Sequence, residues 1–159
     1  MSQLIICING IDERVIKKEI NGVLISETDK LKINEKYTLL HADFSSIEDM
    51  IKAKHIIDDQ IKIIKEIVII NRDIDLNMIS YQYDYEYTKK YYLTLTNIIY
   101  LINVLISNFN KEIKFILSFE RENQYKIHSN NFNLSITKYL EALKKDLQKS
   151  YNISIKILN

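Results

Sequence analysis

The chain has 159 residues, which is enough for one domain with a single hydrophobic core and leaves no need for a second domain. Its 22 Lys and Arg balance 21 Asp and Glu, so no net charge is available to attract nucleic acid, an anionic membrane surface or an acidic substrate. The single cysteine, Cys7, excludes an internal disulfide and lies in an apolar run typical of a core side chain. No basic segment followed by a cleavable apolar stretch opens the sequence, and we expect a cytoplasmic protein.

Short apolar runs bounded by turn residues predict six strands. The run from Ile67 to Ile70 is apolar at every position, which is typical of a strand covered on both faces. The first run ends at the turn dipeptide Asn9-Gly10. The predicted strands are 4–8, 23–26, 37–41, 66–71, 113–117 and 153–157.

Apolar residues three or four apart predict helices between these strands. Asp12 can cap the first helix, and Ser45 or Ser46 with Glu48 or Asp49 resembles a capping box for the second. Strands that alternate with helices form a parallel sheet, so we expect a three-layer α/β fold with helices on both faces of the sheet. The predicted helices are 12–20, 47–65, 85–109 and 132–149.

The third predicted helix is apolar on more than one face and therefore expects cover on two sides. Thr94, Asn97 and Asn103 interrupt it, and it falls short of the about 20 continuous apolar residues that a membrane span needs. We interpret it as a core helix that also meets a second subunit or domain. A tyrosine cluster near its start favours a protein interface or, nearly as well, core packing with the hydroxyls in solvent. The cluster comprises Tyr81, Tyr83, Tyr85, Tyr87, Tyr91 and Tyr92.

The polar stretch 119–133 is the longest segment predicted to be irregular. Loops of this kind carry the chemistry of many open α/β folds, although a plain solvated loop is the simpler interpretation. His41, His55 and His128 are scattered along the chain, so we expect no metal site. The sequence has neither a glycine elbow for a serine nucleophile nor a phosphate-loop motif.

Several segments resemble one enzyme family. Tyr37-Thr-Leu-Leu-His-Ala-Asp43, and the Ser-Ser-Ile-Glu-Asp-Met50 that follows, are similar to the third strand and next helix of the short-chain dehydrogenase/reductase family. The resemblance implies that Asp43 lies near the adenine of a dinucleotide cofactor. It also implies that Asn71 is what remains of the family's Asn-Asn-Ala-Gly motif, and that Ser118 stands in the place of the catalytic serine.

The later helices extend the resemblance over almost the whole chain. Residues 85–109 are similar to the helix that forms much of the family's dimer interface, and 140–147 and 152–159 resemble the next helix and strand. The resemblance implies a single Rossmann-like domain over 1–159 that lacks the family's C-terminal substrate-binding part.

The sequence departs from the family where the cofactor's phosphates would lie. Phosphate binding in this fold needs a glycine-rich turn, so that the backbone can approach the anion at a helix N-terminus. Gly10 is the one glycine of the turn, and Asp12 and Glu13 place two carboxylates near the expected anion. The turn should therefore repel a dinucleotide.

The acid–base pair of the family is also missing. Aligning residues 140–143 with the family puts Asn133 in the place of the catalytic tyrosine and Thr137 in the place of its lysine. Neither side chain can perform that proton transfer at neutral pH.

We therefore predict a degenerate, non-catalytic domain that acts through its surface and has no cofactor. It would form a homodimer, or a heteromer with a related reductase, through its two long helices, with no nucleic acid and no membrane. An active ketoreductase or another polyketide or fatty-acid pathway enzyme is the kind of partner it could support. The predicted interface residues are Tyr85, Tyr92, Ile99, Ile102, Leu140 and Leu143.

Two alternatives remain open from the sequence. In the first, NAD or NADP binds through Gly10, Asp43 and Asn71, and Ser118 and Tyr125 carry residual redox chemistry. In the second, the resemblance is accidental and the chain is another open α/β domain, such as one with the flavodoxin-like strand order. The strand order distinguishes these two folds, because they place the ligand crevice at different points of the sheet.

Overall fold

The structure, a computed structural model, describes residues 2–17, 21–27, 36–72, 85–122 and 126–159. These residues form one parallel sheet of six strands together with three α-helices. The strands are β1 (Ser2–Asn9), β2 (Asn21–Ser26), β3 (Tyr37–His41), β4 (Ile64–Asn71), β5 (Phe109–Phe119) and β6 (Asn152–Leu158), and the helices are α1 (Ile47–Gln60), α2 (Tyr85–Val104) and α3 (Ile127–Leu147). All six predicted strands are confirmed.

The strand order is β3-β2-β1-β4-β5-β6, and every neighbouring pair is parallel. This is the Rossmann order, and the Rossmann-like class is confirmed. The flavodoxin-like alternative is wrong, because that order places β1 between β2 and β3. The chain reverses its direction of travel across the sheet between β1 and β4, so a ligand crevice is expected above the carboxyl ends of these two strands.

The two faces of the sheet are packed differently. Ile67 and Ile69 of β4 belong to a large core cluster with residues of α1, α2 and α3. Val68 and Ile70, which point the other way, belong to a smaller cluster. Within the described part of the chain, the three α-helices all pack on one face, and 11–16 contributes Ile11, Val15 and Ile16 to the other.

The helix predicted at 12–20 is wrong within its described part, which has only a short 3-10 helix (Glu13–Val15) followed by extended backbone at Ile16. Because Ser2 is paired with Asn21 in parallel strands, the chain must travel back from the end of β1 to its start. That return is about 23 Å at the usual rise of a strand. Residues 10–20 would span only about 16 Å as an α-helix, so a single helix over this range is too short for the return.

The prediction of an irregular segment at 119–133 is wrong at both of its ends. Phe119 is the last residue of β5, and α3 already begins at Ile127. The asparagines at the start of α3 are residues typical of loops. Buried residues nevertheless recur there at the spacing of a helix. These buried residues are Ser129, Phe132, Ile136, Leu140 and Leu143.

A buried polar cluster fastens the short β1–β2 connection to the sheet. Glu66 of β4 accepts hydrogen bonds from Gln3 and, over 2.9 Å, from the ammonium group of Lys17. The hydroxyl of Tyr37 donates to the side chain of Gln3. Gly22 lies beneath this cluster, where an added Cβ would come within 2.6 Å of the Tyr37 ring and collide with the backbone oxygen of Gln3.

We expect Gly22→Ala to lower the free energy of unfolding by about 2–3 kcal/mol, because β1 and the Tyr37 ring must both shift to admit a methyl group. Urea unfolding followed by circular dichroism measures the change. Gly10→Ala serves as the control, because Gly10 has a φ of 65° and its substitution should cost only about 1 kcal/mol of left-handed backbone strain. Equal losses for the two variants would contradict the steric explanation.

Candidate functional site

The carboxyl ends of β1, β4 and β5 bring two groups of polar side chains together at the expected crevice. The first, which we call the Asp12 cluster, comprises Asp12, Arg14, Arg72 and Ser118. The second, the amide network, comprises Asn9, Asn71, Tyr91, Ser129 and Asn133. Ser118 lies two residues beyond Ile116 of the smaller core cluster, so the Asp12 cluster faces away from the helices.

The Asp12 carboxylate is the centre of the first group. Arg14 donates three hydrogen bonds to the Asp12 carboxylate. They come from Nε over 2.9 Å, from Nη2 over 2.7 Å and from the backbone N–H over 3.1 Å. Arg72 approaches Asp12 to 3.3 Å through Nε and donates from the same atom to the Ser118 hydroxyl over 2.7 Å. Ser118 in turn donates to Asp12. One carboxylate therefore joins the ends of β1, β4 and β5.

The Asp12 cluster strongly favours an ionised carboxylate. Asp12 is buried, yet the hydrogen bonds from Arg14 hold the pKa of its carboxyl group well below the ordinary value. The hydrogen bond from Ser118 and the charge of Arg72 lower this pKa further, and burial opposes them. The site thus contains a permanent internal anion that is already bound by two guanidinium groups.

The amide network lies on the helix side of the same edge and joins β1, β4, α2 and α3. The buried Asn71 donates from Nδ2 to the Ser129 hydroxyl over 3.1 Å and to Oδ1 of Asn133 over 2.8 Å. Its Oδ1 accepts from Nδ2 of Asn9 over 3.1 Å, and Asn9 also donates to the hydroxyl of Tyr91. Both amide hydrogens of Asn71 are therefore used within the chain.

Of the predicted site residues, Gly10, Asn71 and Ser118 lie at the carboxyl ends of β1, β4 and β5, and Asp43 lies beyond β3. Gly10 makes the turn after β1 with its left-handed backbone, and Asn71 and Ser118 are the buried residues just described. Asp43 is exposed beyond β3, where it accepts from the backbone and hydroxyl of Ser45, and the Ser45 hydrogen bonds lower its pKa. Tyr125 lies outside the described residues.

The predicted interface residues differ in how deeply they are buried. Ile102, Leu140 and Leu143 are buried in the chain's own core, under the helices rather than on their outer surface. Ile99 is partly buried against the core. Tyr85 and Tyr92 are exposed, Tyr92 by 57%. Contact with a partner can therefore use the two tyrosines directly, whereas the three buried residues hold α2 and α3 on the sheet.

Sequence reasoning missed Arg14, Arg72, Tyr91 and Ser129. The position of Arg72 held a usable signal, because a charged residue directly after a buried parallel strand must lie at the ligand edge of the sheet. Its pairing with Asp12 had no local signal, because the two residues are far apart in the chain.

The structure resembles known dehydrogenases. No protein-family model matches the sequence, and no curated protein matches it either. A short-chain dehydrogenase family protein from Francisella tularensis superimposes with a TM-score of 0.76 and 18% identity, over 98% of this chain and 67% of that one. The chain has the fold of a short-chain dehydrogenase.

A second short-chain dehydrogenase structure is that of a 3-ketoacyl-(acyl-carrier-protein) reductase from Brucella melitensis in complex with NADH. It matches with a TM-score of 0.69 and 16% identity, over 99% of this chain and 74% of that one. Within the described ranges, no helix is long and apolar enough to cross a membrane. In the same part of the chain, no group of three His, Cys, Asp or Glu residues is placed to hold a metal ion.

We expect Asn71→Ala to lower the free energy of unfolding by about 3 kcal/mol, because it removes the side chain that Asn9, Ser129 and Asn133 all bind and leaves Asn9 with the Tyr91 hydroxyl. Chemical denaturation measures this loss. The exposed Asn152 of β6 provides the matched control, and Asn152→Ala should change the free energy by less than about 0.5 kcal/mol. A similar small effect at Asn71 would show that water replaces the network.

The ionised Asp12 should stabilise the fold at neutral pH, and the contribution should be lost in acid. A carboxyl group with a lowered pKa in the folded state stabilises above its unfolded pKa of about 3.9 and ceases to do so as the pH falls through the folded value. Asp12→Asn should therefore be less stable than the wild type by about 1–3 kcal/mol at pH 7. Thermal unfolding between pH 7 and pH 2 should show the two proteins converge below about pH 4. A gap that stays constant with pH would contradict an ionic role.

Proposed function

We propose that this chain is a non-catalytic, dehydrogenase-like module that binds no dinucleotide and acts by pairing with another protein. The observation that carries the proposal is the Asp12 carboxylate at the carboxyl ends of β1 and β4, where the crevice is expected. The proposal has two parts, the loss of the cofactor site and the use of α2 and α3 as a pairing surface.

The crevice is a poor site for the pyrophosphate of a dinucleotide. Binding of that anion relies on free backbone N–H groups at a helix N-terminus. Here the turn after Gly10 leads into a short 3-10 helix, and the Asp12 side chain itself accepts from the backbone N–H of Arg14. Arg14 and Arg72, the two arginines of the Asp12 cluster, already bind Asp12. A dinucleotide would have to displace a buried carboxylate from two cations.

This chain also lacks the tyrosine and lysine that act as the acid–base pair in the family that its sequence resembles. The helix that should carry a tyrosine and a lysine has Asn133 and Thr137 at the aligned positions. Asn133 accepts from Asn71, and the Thr137 hydroxyl donates to the backbone oxygen of Asn133. These contacts support a structural role for the first half of α3.

The outer surfaces of α2 and α3 support the pairing part of the proposal. Tyr92 is largely exposed, and Leu95 beside it is only partly buried and lines a shallow pocket with Asn131 and Ser135 of α3. Tyrosine supplies large contact area at low entropic cost. We propose a second copy, or an active reductase of the same fold, as the partner on this surface.

The alternative function is that of an NAD- or NADP-dependent oxidoreductase with a divergent site. The observation in its favour is the similarity to a reductase whose structure contains NADH. Gly10 and Asn71 do lie at the appropriate edge of the sheet, so this alternative makes a clear prediction of cofactor binding.

A thermal-shift titration with NADH and NADPH tests the cofactor part. We expect no change in melting temperature for the wild type, because a ligand that bound the native state would stabilise it by about 2.7 kcal/mol at a hundredfold excess over its Kd. Asp43→Ala controls for specific binding. A saturable rise in the wild type that Asp43→Ala weakens would overturn the proposal in favour of the oxidoreductase.

Light-scattering mass tests the pairing part. We expect the wild type to associate and Tyr92→Lys to lower the mass, because the substitution buries a charge in the paired surface. Ile51→Lys is the control, since Ile51 is 41% exposed and lies on α1 instead of on α2 or α3. A monomer at all concentrations that captures no reductase would contradict this part.

A further inference from the structure

The Asp12 carboxylate is bound in the way that a separate small carboxylate ligand would be. Its Oδ1 accepts from Nε of Arg14 over 2.9 Å and from the Arg14 backbone N–H over 3.1 Å. Its Oδ2 accepts from Nη2 of Arg14 over 2.7 Å and from the Ser118 hydroxyl, and Nε of Arg72 lies 3.3 Å away. The paired bonds from the Arg14 side chain are the bidentate arrangement in which a guanidinium group recognises a carboxylate.

Two of these partners are fixed by the sheet and not by Asp12. Ser118 is fully buried near the end of β5, and Arg72 directly follows β4, where its backbone N–H donates to the backbone oxygen of Asn9 over 2.9 Å. Nε of Arg72 also donates to the Ser118 hydroxyl over 2.7 Å. The cation and the hydroxyl therefore hold each other in place, and the site is preorganised whichever molecule supplies the carboxylate.

The side chain that separates the carboxylate from solvent can move. The Asp12 side chain is only 5% exposed, whereas the Arg14 side chain is 55% exposed. Arg14 thus forms the solvent side of the cluster, and rotation of its side chain gives a small ligand access to the position of the Asp12 carboxylate.

The charge of the cluster favours an anion once Asp12 is displaced, because two guanidinium groups remain. Two further carboxylates lie close by among the described residues. Glu120 pairs with Lys126 over 2.9 Å, and Glu13 is exposed directly after Asp12 in the chain. Glu13 is therefore the described carboxylate that competes with an external anion for the vacated place.

We propose that Arg14, Arg72 and Ser118 form a binding site for a small carboxylate ligand, and that the Asp12 side chain is an internal occupant of this site. An external carboxylate binds by taking the place of Asp12, whose side chain then turns into solvent. Because the internal occupant is always present, the apparent affinity for the external ligand is reduced to the fraction of chains in which the site is open. The inference does not rest on the proposed function, since it involves neither a dinucleotide nor the surface of α2 and α3.

Chemical rescue by formate tests the site. Asp12→Ala, made in a Glu13→Gln background, removes one carboxylate group and leaves a space that formate fits. Formate should stabilise this variant saturably, and the equilibrium constant for folding should rise about tenfold at a formate concentration of about ten times the Kd. Urea unfolding at fixed ionic strength, with chloride replacing formate, measures the effect. The Glu13→Gln parent, in which Asp12 still competes, should bind formate at least about tenfold more weakly.

The size of the ligand and the loss of one arginine separate this site from a general effect of salt on stability. Asp12→Gly removes one carbon more than Asp12→Ala, so acetate should stabilise the Gly variant and not the Ala variant. Arg72→Gln, added to Asp12→Ala, should weaken the binding of formate by at least about tenfold, because it removes a guanidinium group. Equal effects of formate and acetate on both variants, or an effect that persists without Arg72, overturn the inference.

The wild type provides a test that needs no destabilised variant. In a nitrogen-15 NMR spectrum, the Nε–H resonance of Arg72 should shift saturably as formate replaces chloride, because formate replaces Asp12 beside it. If Asp12→Ala is unfolded in chloride, formate should also restore the folded protein. An Arg72 resonance that formate leaves unmoved, or a folded Asp12→Ala whose stability is the same in formate and chloride, overturns the inference.

Discussion

The structure depends on one internal anion, the carboxylate of Asp12. It is buried at the carboxyl edge of the sheet and is held by Arg14, Arg72 and Ser118, which follow or end three different strands. A buried carboxylate is costly unless cations and hydrogen bonds compensate for its lost hydration, and both are present here. On the opposite side of the edge, the amide network of Asn71 joins β1 and β4 to α2 and α3 by hydrogen bonds. The chain fills its own crevice from both sides.

The connection from β1 to β2 gives the crevice this form. Within residues 10–17, the described part of the connection from β1 to β2, the chain forms a short 3-10 helix and no α-helix whose N-terminus could receive a phosphate. The connection is fixed instead by polar contacts, from Lys17 to Glu66 at one end of the sheet and from Asp12 to Arg72 at the other.

Much of the fold could be predicted from the sequence, because its signals are local. The continuous apolar run of β4 requires cover on both faces, and its residues do alternate between two core clusters. Ser46 caps α1 and accepts from the backbone of Asp49, as the capping pattern predicts. The helix at 12–20 could not be excluded locally, since only the parallel register of β1 and β2 shows that the return path is too long. In the site, the carboxylate at Asp12 was predicted to repel a phosphate. The partners of Asp12 could not be predicted, because a residue such as Ser118 lies 106 residues further along the chain.

A carbon-13 NMR titration of the Asp12 carboxyl group, with and without excess NADH, tests the internal anion most directly. If Asp12 fills the phosphate position, its resonance stays that of a carboxylate to below about pH 3 and does not move when NADH is added. Titration near the ordinary value of about 3.9, or a saturable shift caused by NADH, would contradict it, because the crevice would then be open to a ligand.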